Sequence, residues 1–366
     1  MDRLFTPYRI GRLTLPNRLV RSATAESMAD PAGRPLEQLG KLYADLVRGE
    51  VGLIITGHMY VHPGGKCHNE MTGIYCDDLV PALRTLGEGV HALGGLVVAQ
   101  INHGGMQASA DSVGDPVAPS DIQADWLKRP ARAMTEGEIE EVVEAYGLAA
   151  LRAQWAGLDG VQIHGAHGYL VSQFLSPAVN RRTDQWGGDI KKRMLFLRRI
   201  CSRVRNLVGS DYPVIIKLGL ADAVEGGLAL AEGLEVVSEL EAMGIDAVEI
   251  SAGIGGRRSA AIRPGIRTEA DEAYFRSWSR QARTRTRMPI LLVGGMRSRS
   301  VMEDVLASGD ADLISMCRPL ICEPDLPRRL RTGQLACSSC VSGDRCWPKQ
   351  AGQGISCKCP REPQPA

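Results

Sequence analysis

Residues 135–164 read TEGEIEEVVEAYGLAALRAQWAGLDGVQIH and contain one complete helix-to-strand unit. Ile139, Val142, Val143, Tyr146 and Ala150 recur at helical spacing, which makes one face of the segment apolar. Thr135 followed by Glu138 is a capping-box signature for the helix start. Beyond Gly157 the period changes, and Gly160–His164 reads as a short strand. An amphipathic helix feeding a short, largely apolar strand is the repeating unit of a parallel sheet.

The unit recurs in both directions. From residue 18 to 320, short apolar runs alternate with longer amphipathic stretches. The other strand candidates are Leu19–Ala23, Leu53–Thr56, Leu96–Ile101, Val214–Leu218, Ala247–Ser251, Ile290–Val293 and Leu313–Met316. Several are nearly continuous in Val, Ile and Leu, as strands covered on both faces should be. With the segment before His164 they make eight, which predicts an α/β fold, a single closed (β/α)8 TIM barrel. A doubly wound open sheet is the rival, but no GxGxxG follows the first strand. The barrel is expected over residues 1–335, with a Cys-rich C-terminal extension over 336–366 that ends in a disordered PREPQPA.

Composition removes several classes. Of 366 residues, 43 are Lys or Arg and 42 Asp or Glu, a net charge of +1, so nothing electrostatic points to nucleic acid or an anionic membrane as partner. No apolar run reaches the ~18 residues of a membrane span. The charged N-terminus MDRLFTPYRIGRL lacks a signal-peptide core, which predicts a cytoplasmic protein.

In such a barrel the chemistry sits at the C-terminal strand ends. Those ends carry Thr24, Gly57, Gln100, His164 with His167 and Tyr169, Lys217, Gly294 with Gly295, and Arg318. The set is rich in Gly and His and nearly free of carboxylates, which argues against a metal hydrolase or a glycosidase. Neutral His164 and His167 could donate N–H bonds to one substrate oxygen while the Tyr169 hydroxyl delivers a proton. Two loop-capping histidines are the plain alternative, and zinc a third. Gly294 and Gly295 with Arg318 suit a phosphate, in the loops after strands seven and eight where barrels bind one. Gln100 offers a donor and an acceptor to the edge of a pyrimidine-like ring, and Lys217 a fixed positive charge. Singly, either reads equally well as a polar rim residue.

Taken together, these residues resemble the Old Yellow Enzyme family of FMN-dependent oxidoreductases. The matching stretches are PNRLVRSATAE, LVVAQINHGG, AGLDGVQIHGAHGYLVSQFLSPAVNRRTDQWGGDIKKR, VIIKLG, LLVGGMRS and DLISMCRPL, spread over residues 4 to 330. The resemblance implies that Ala23 and Thr24 lie against the flavin, that Gly57 belongs to the same site, and that Gln100 and Lys217 meet its pyrimidine side. It implies that Gly294, Gly295, Cys317 and Arg318 hold the FMN phosphate. His164 and His167 would bind a substrate carbonyl oxygen, with Tyr169 as proton donor. NADH or NADPH would reduce the flavin, which would then reduce a C=C bond conjugated to a carbonyl. The alternatives are a flavin dehydrogenase or desaturase working oxidatively, and a flavin/iron–sulfur electron-transfer protein. The expected partner is a small α,β-unsaturated carbonyl compound, and a homo-oligomer is compatible with the family.

There are departures. Cys317 stands where the family has Gly before the phosphate-binding Arg, and Ala25 where relatives often have an aromatic residue. The long loop 108–132, carrying Trp126, is the candidate specificity element. Cys337, Cys340, Cys346, Cys357 and Cys359 crowd the tail. Larger relatives of the dienoyl-CoA reductase type place a [4Fe-4S] cluster here with C-x2-C-x3-C-x11-C spacing, whereas this chain has C-x2-C-x5-C-x10-C-x-C. The expectation is therefore no metal, ahead of a [4Fe-4S] cluster or zinc on Cys337, Cys340, Cys346 and Cys357.

Overall fold

The computed structural model describes residues 2–123, 127, 129–254, 262–348 and 352–359. Eight parallel strands form a ring: β1 Leu19–Arg21, β2 Leu53–Ile55, β3 Val97–Asn102, β4 Val161–Gly165, β5 Val214–Gly219, β6 Ala247–Ser251, β7 Ile290–Leu292 and β8 Leu313–Met316. Each pairs with its sequence neighbours, β8 pairs back onto β1 through Ile314 and Leu19, and the ring is complete. The expected strands are all present, two of them with the bounds expected and the others with ends displaced by one or two residues. The first stops at Arg21 although Ser22 still donates its N–H to Met316 at 2.9 Å; beyond it the chain leaves the ladder.

Helices α1 Glu37–Arg48, α2 Val80–His91, α3 Glu136–Trp155, α4 Leu195–Val208, α5 Leu230–Leu240, α6 Arg276–Arg283 and α7 Arg299–Ala307 lie between successive strands. Two short helices, α8 Arg318–Cys322 and α9 Leu326–Arg331, follow β8. The capping box forms as read: Thr135 Oγ1 accepts the Glu138 N–H at 3.3 Å and Glu138 Oε2 accepts the Thr135 N–H at 2.8 Å. Arg132 and this cap together hold the Glu138 carboxyl down to about 2.

The period of two along each strand sorts the barrel interior into layers. The lowest inward positions are apolar: Val20, Leu53, Val98, Ile215, Leu291 and Leu313 pack together. A hairpin of Tyr8–Ile10 and Leu13–Leu15 adds Ile10, Leu13 and Leu15 to that cluster and plugs the N-terminal end. Two residues further along, the inward positions turn polar: Ser22, Gln100, Lys217, Glu249 and Ser315 are all buried. The floor is sealed by burial of apolar area, and the chemistry is confined to the other end.

The Cys-rich tail packs onto that end. Cys337 forms a bridge with Ser298, Gly265 donates its N–H to Ser342 at 3.1 Å, and Ile355 donates its N–H to Glu26 at 3.0 Å. Cys346 and Ile355 belong to the main hydrophobic core. Trp126 and the residues from Pro360 onward lie outside the described residues. Among the described residues, no helix is long and apolar enough to cross a membrane.

Candidate active site

A cavity of about 340 Å³ opens at the C-terminal mouth. Its walls come from the loop after β1, from the ends of β3 to β8, and from Ser342 and Trp347 of the tail. Its size and mixed lining are those of a small-molecule or cofactor site.

One wall is aromatic and basic in residue type but uncharged. The His164 and His167 rings lie 5.0 Å apart and edge-on, with the Tyr169 ring 4.8 Å from His164. Burial pushes His164 well below the ordinary imidazole range and His167 down to about 3, and nearby Lys217 adds to both shifts. Burial likewise pushes the Tyr169 hydroxyl far up, so it holds its proton. His167 Nε2 lies 2.7 Å from Ser251 Oγ, whereas buried His164 Nδ1 has no hydrogen-bond partner among the described residues. The loop is built tightly: His167 takes a φ of 62° and Gly168 one of 75°, and a Cβ on Gly168 would come within 1.5 Å of the Ile254 carbonyl oxygen. Gln107 donates to the His167 carbonyl and Gln173 to that of Gly168, each at 2.7 Å. His58 completes this wall, its ring 5.0 Å from Tyr169 and its Nδ1 2.9 Å from Asn102 Nδ2.

The inner floor is polar. Gln100 Nε2 donates to Gln162 Oε1 at 2.7 Å, and Gln162 Nε2 donates to Glu249 Oε2 at 2.9 Å. Ser22 donates to Glu249 Oε1 and accepts from Lys217 Nζ, both at 2.7 Å. Gln100 and Lys217 line the cavity from this network, as the sequence reading expects. Glu249 is the carboxylate that reading passed over, because it sits one inward position below the strand end. Ser251 was legible as the end of β6, and Glu249 is its inward neighbour by alternation.

The far end contains Gly295, Cys317 and Arg318 on the lining and Gly294 one residue behind. Gly294 and Gly295 have φ of 134° and 76°, a region that favours glycine, and both pack against Tyr274. Cys317 has φ −115°, outside the left-handed region that favours glycine. Its Sγ lies 3.0 Å from Thr24 Oγ1, joining the ends of β8 and β1. Arg318 is buried, and its guanidinium is oriented by the carbonyls of Ser342 at 3.2 Å and Arg263 at 2.8 Å.

Ala23 and Thr24 line the cavity, but Gly57 stands behind them. A Cβ on Gly57 would fall 1.8 Å from Glu26 Oε2, so glycine here makes room for a buried carboxylate.

Of the four cysteines in the less favoured ligand set, Cys340, Cys346 and Cys357 lie near one another while Cys337 turns elsewhere. Cys337 turns to Ser298 Oγ at 3.3 Å and to the Ser338 carbonyl at 3.4 Å. Cys357 instead meets Cys322 of α8, sulfur to sulfur at 3.0 Å, and Cys322 hydrogen-bonds Cys340. That bond, with the nearby Ser342 N–H and Arg318, holds the Cys340 thiol below its usual range. Among the described residues, no group of three or more His, Cys, Asp or Glu is arranged to hold a metal ion. Cys322, rather than Cys337, accompanies Cys340 and Cys357.

The closed barrel thus presents uncharged histidines and a tyrosine on one wall of its mouth, and an amide and a lysine on its floor. The chain belongs to the NADH:flavin oxidoreductase / NADH oxidase family, the family of the Old Yellow Enzymes, whose model matches residues 3–336. It is 33% identical to an NADH oxidase of Thermoanaerobacter brockii over 98% of this chain and 56% of that protein. Its fold is similar to that of 2-naphthoyl-CoA reductase bound to 2-naphthoyl-CoA, with a TM-score of 0.87 and 28% identity over 94% of this chain and 54% of that one. It is also similar to an old yellow enzyme homologue from Zymomonas mobilis, with a TM-score of 0.79 and 29% identity over 92% and 95% of the two chains. The chain thus spans about half the length of the first two of these relatives.

Proposed function

We propose that this barrel binds FMN, accepts electrons from NAD(P)H, and reduces C=C bonds conjugated to a carbonyl group. The convergence of His164, His167 and Tyr169 on one wall, opposite the Gln100 and Lys217 floor, carries this reading. What the cavity offers is compatible with FMN. Buried Ser315 Oγ and His164 Nδ1 find no partner among the described residues, and a Cβ at Gly295 would crowd Tyr274 at 3.2 Å. Gln100 and Lys217 would face the pyrimidine edge, Ala23 and Thr24 the ring. Gly294, Gly295, Cys317 and Arg318 would hold the phosphate.

FMN, when bound and once reduced by NAD(P)H, would supply the hydride chemistry for the substrate's β-carbon. The residues do the rest. Neutral His164 and His167 donate hydrogen bonds to the carbonyl oxygen and stabilise the negative charge that develops there, most strongly in a site that excludes water. Tyr169, kept protonated by burial, delivers its proton to the α-carbon. The likeness to a reductase bound to an aryl thioester supports a substrate class in which the alkene is conjugated to a carbonyl.

The test uses FMN-reconstituted protein under anaerobic conditions. It is reduced with NADH or NADPH and then mixed with 2-cyclohexenone in a stopped-flow instrument. Tyr169→Phe should leave flavin reduction unchanged and slow reoxidation by the enone by about 100-fold or more. Reoxidation of the variant at the parent rate would remove Tyr169 from the mechanism. Failure of the parent protein to bind FMN would overturn the whole proposal.

A further inference from the structure

We infer that Glu249 is a positioning residue that sets both the charge and the hydrogen-bond polarity the barrel floor presents to the flavin's pyrimidine edge. The inference rests on the FMN reading above.

Glu249 is fully buried at the centre of the barrel, where a carboxylate is costly unless it is paired and hydrogen-bonded. Its partners come from three strands or strand ends: Ser22 at 2.7 Å, Gln162 at 2.9 Å and Lys217 Nζ at 3.4 Å. It does not line the cavity, so it acts only through these neighbours.

The first consequence is electrostatic. Lys217 Nζ donates to Ser22 and faces Glu249, and the residue lines the cavity. An ammonium has three N–H donors, which leaves one for a ligand. The flavin edge therefore meets a cation already balanced by an anion, not a bare positive charge. That disfavours the extra negative charge of the reduced ring and holds the flavin potential down.

The second consequence is directional. An ionised carboxylate only accepts hydrogen bonds, so Gln162 must turn its amide NH2 toward Glu249 and its oxygen toward Gln100. Gln100 must then give one N–H to Gln162, which leaves its oxygen and its second N–H available at the cavity. A donor and an acceptor side by side match the alternating C=O and N–H groups of the pyrimidine edge. One buried charge thus settles the sense of two amides that could otherwise flip.

The experiment measures the reduction potential and FMN affinity of the holoprotein, with activity not needed as a readout. Glu249→Gln should bind reduced FMN about tenfold more favourably relative to oxidised FMN, a rise of about 30 mV for a two-electron couple. The rise should largely vanish when the same change is made in a Lys217→Met background, because Glu249 acts through that ammonium. Ser22→Ala, which removes the bridging hydroxyl, should move the potential in the same direction by less, and it serves if Glu249→Gln does not fold. An unchanged potential in folded, flavin-loaded Glu249→Gln overturns the inference, as does an equal rise with and without Lys217. Either result leaves the FMN reading standing, whereas a parent protein without FMN affinity sinks both.

Discussion

Glu26 Oε1 accepts the backbone N–H of Gly57 at 3.0 Å, an anchor between the loop after β1 and the end of β2. Tyr43 donates to the same oxygen at 3.1 Å, and the Arg21 guanidinium, which also bonds Thr24 Oγ1, lies 3.8 Å away. The wall formed by Ala23 and Thr24 is therefore held from behind by a buried charged cluster, and Gly57 leaves space for it. A methyl group at position 57 would overlap Glu26 Oε2 at 1.8 Å and crowd the Thr24 carbonyl oxygen at 2.5 Å. Gly57→Ala should cost about 1–3 kcal/mol by overpacking and should weaken FMN binding by displacing Thr24. Denaturant unfolding and flavin-fluorescence titration check the two effects. An unaltered FMN affinity would mean that the loop does not transmit the strain.

The same cluster predicts a pH dependence of stability. Burial pushes the Glu26 carboxyl up to about 6, against the pull of Arg21 and the Tyr43 and Gly57 hydrogen bonds. The folded state thus binds the proton more tightly than the unfolded state does. Its contribution is most favourable below the unfolded value near 4.5 and is lost as the pH rises through about 6. The difference is on the order of 2 kcal/mol. Unfolding free energies measured from pH 4.5 to 7 should show this decline in the parent protein, and Glu26→Gln should lack it.

Most of the fold was legible because each β/α unit announces itself locally. The segment from Thr135 to His164 contains a cap, an apolar stripe and a strand, and the structure forms all three. The strand-end residues His164, His167, Tyr169, Gln100 and Lys217 reach one cavity because the barrel topology brings all strand ends to one face. What stayed hidden depends on contacts remote in sequence. Glu249 meets Ser22 across 227 positions, and Ser342 meets Arg318 only because the tail folds back over the mouth. Cysteine spacing alone suggested a ligand set that included Cys337. The fold turns Cys337 toward Ser298 and brings in Cys322, which sits on the barrel side and belongs to no spaced motif.

The low proton affinity of the two histidines bears on ligand binding. His167 is held down to about 3 and His164 lower than its ordinary range, chiefly by burial. Both rings are then neutral at pH 5 as at pH 8. A charged imidazole would bind a phenolate more tightly at low pH, so its absence removes that gain. The affinity of FMN-loaded protein for a phenol should change between pH 8 and 5 only as the phenol's own ionisation dictates. Absorbance titrations at several pH values test this, and an additional gain near pH 6 would mean that an imidazole titrates in the site.

The His167 loop offers a prediction that separates the substrate wall from the flavin floor. A left-handed φ of 62° at a histidine is strained and persists only if neighbours over-determine it. The Gln107 amide on the His167 carbonyl supplies one such restraint, the Gln173 amide on Gly168 a second, and Ser251 on the imidazole a third. Gln107 lines the cavity near the histidines, away from the Lys217–Glu249 network, and its loss would free one carbonyl without touching the floor. Gln107→Ala should therefore weaken phenol binding by about fivefold, equivalent to about 1 kcal/mol for a lost hydrogen bond. Flavin affinity and the rate of flavin reduction by saturating NAD(P)H should stay close to parent values. Parallel losses in FMN and phenol affinity would instead point to a general loosening of the barrel mouth, and an unchanged phenol affinity would show that the other two restraints suffice to hold His167.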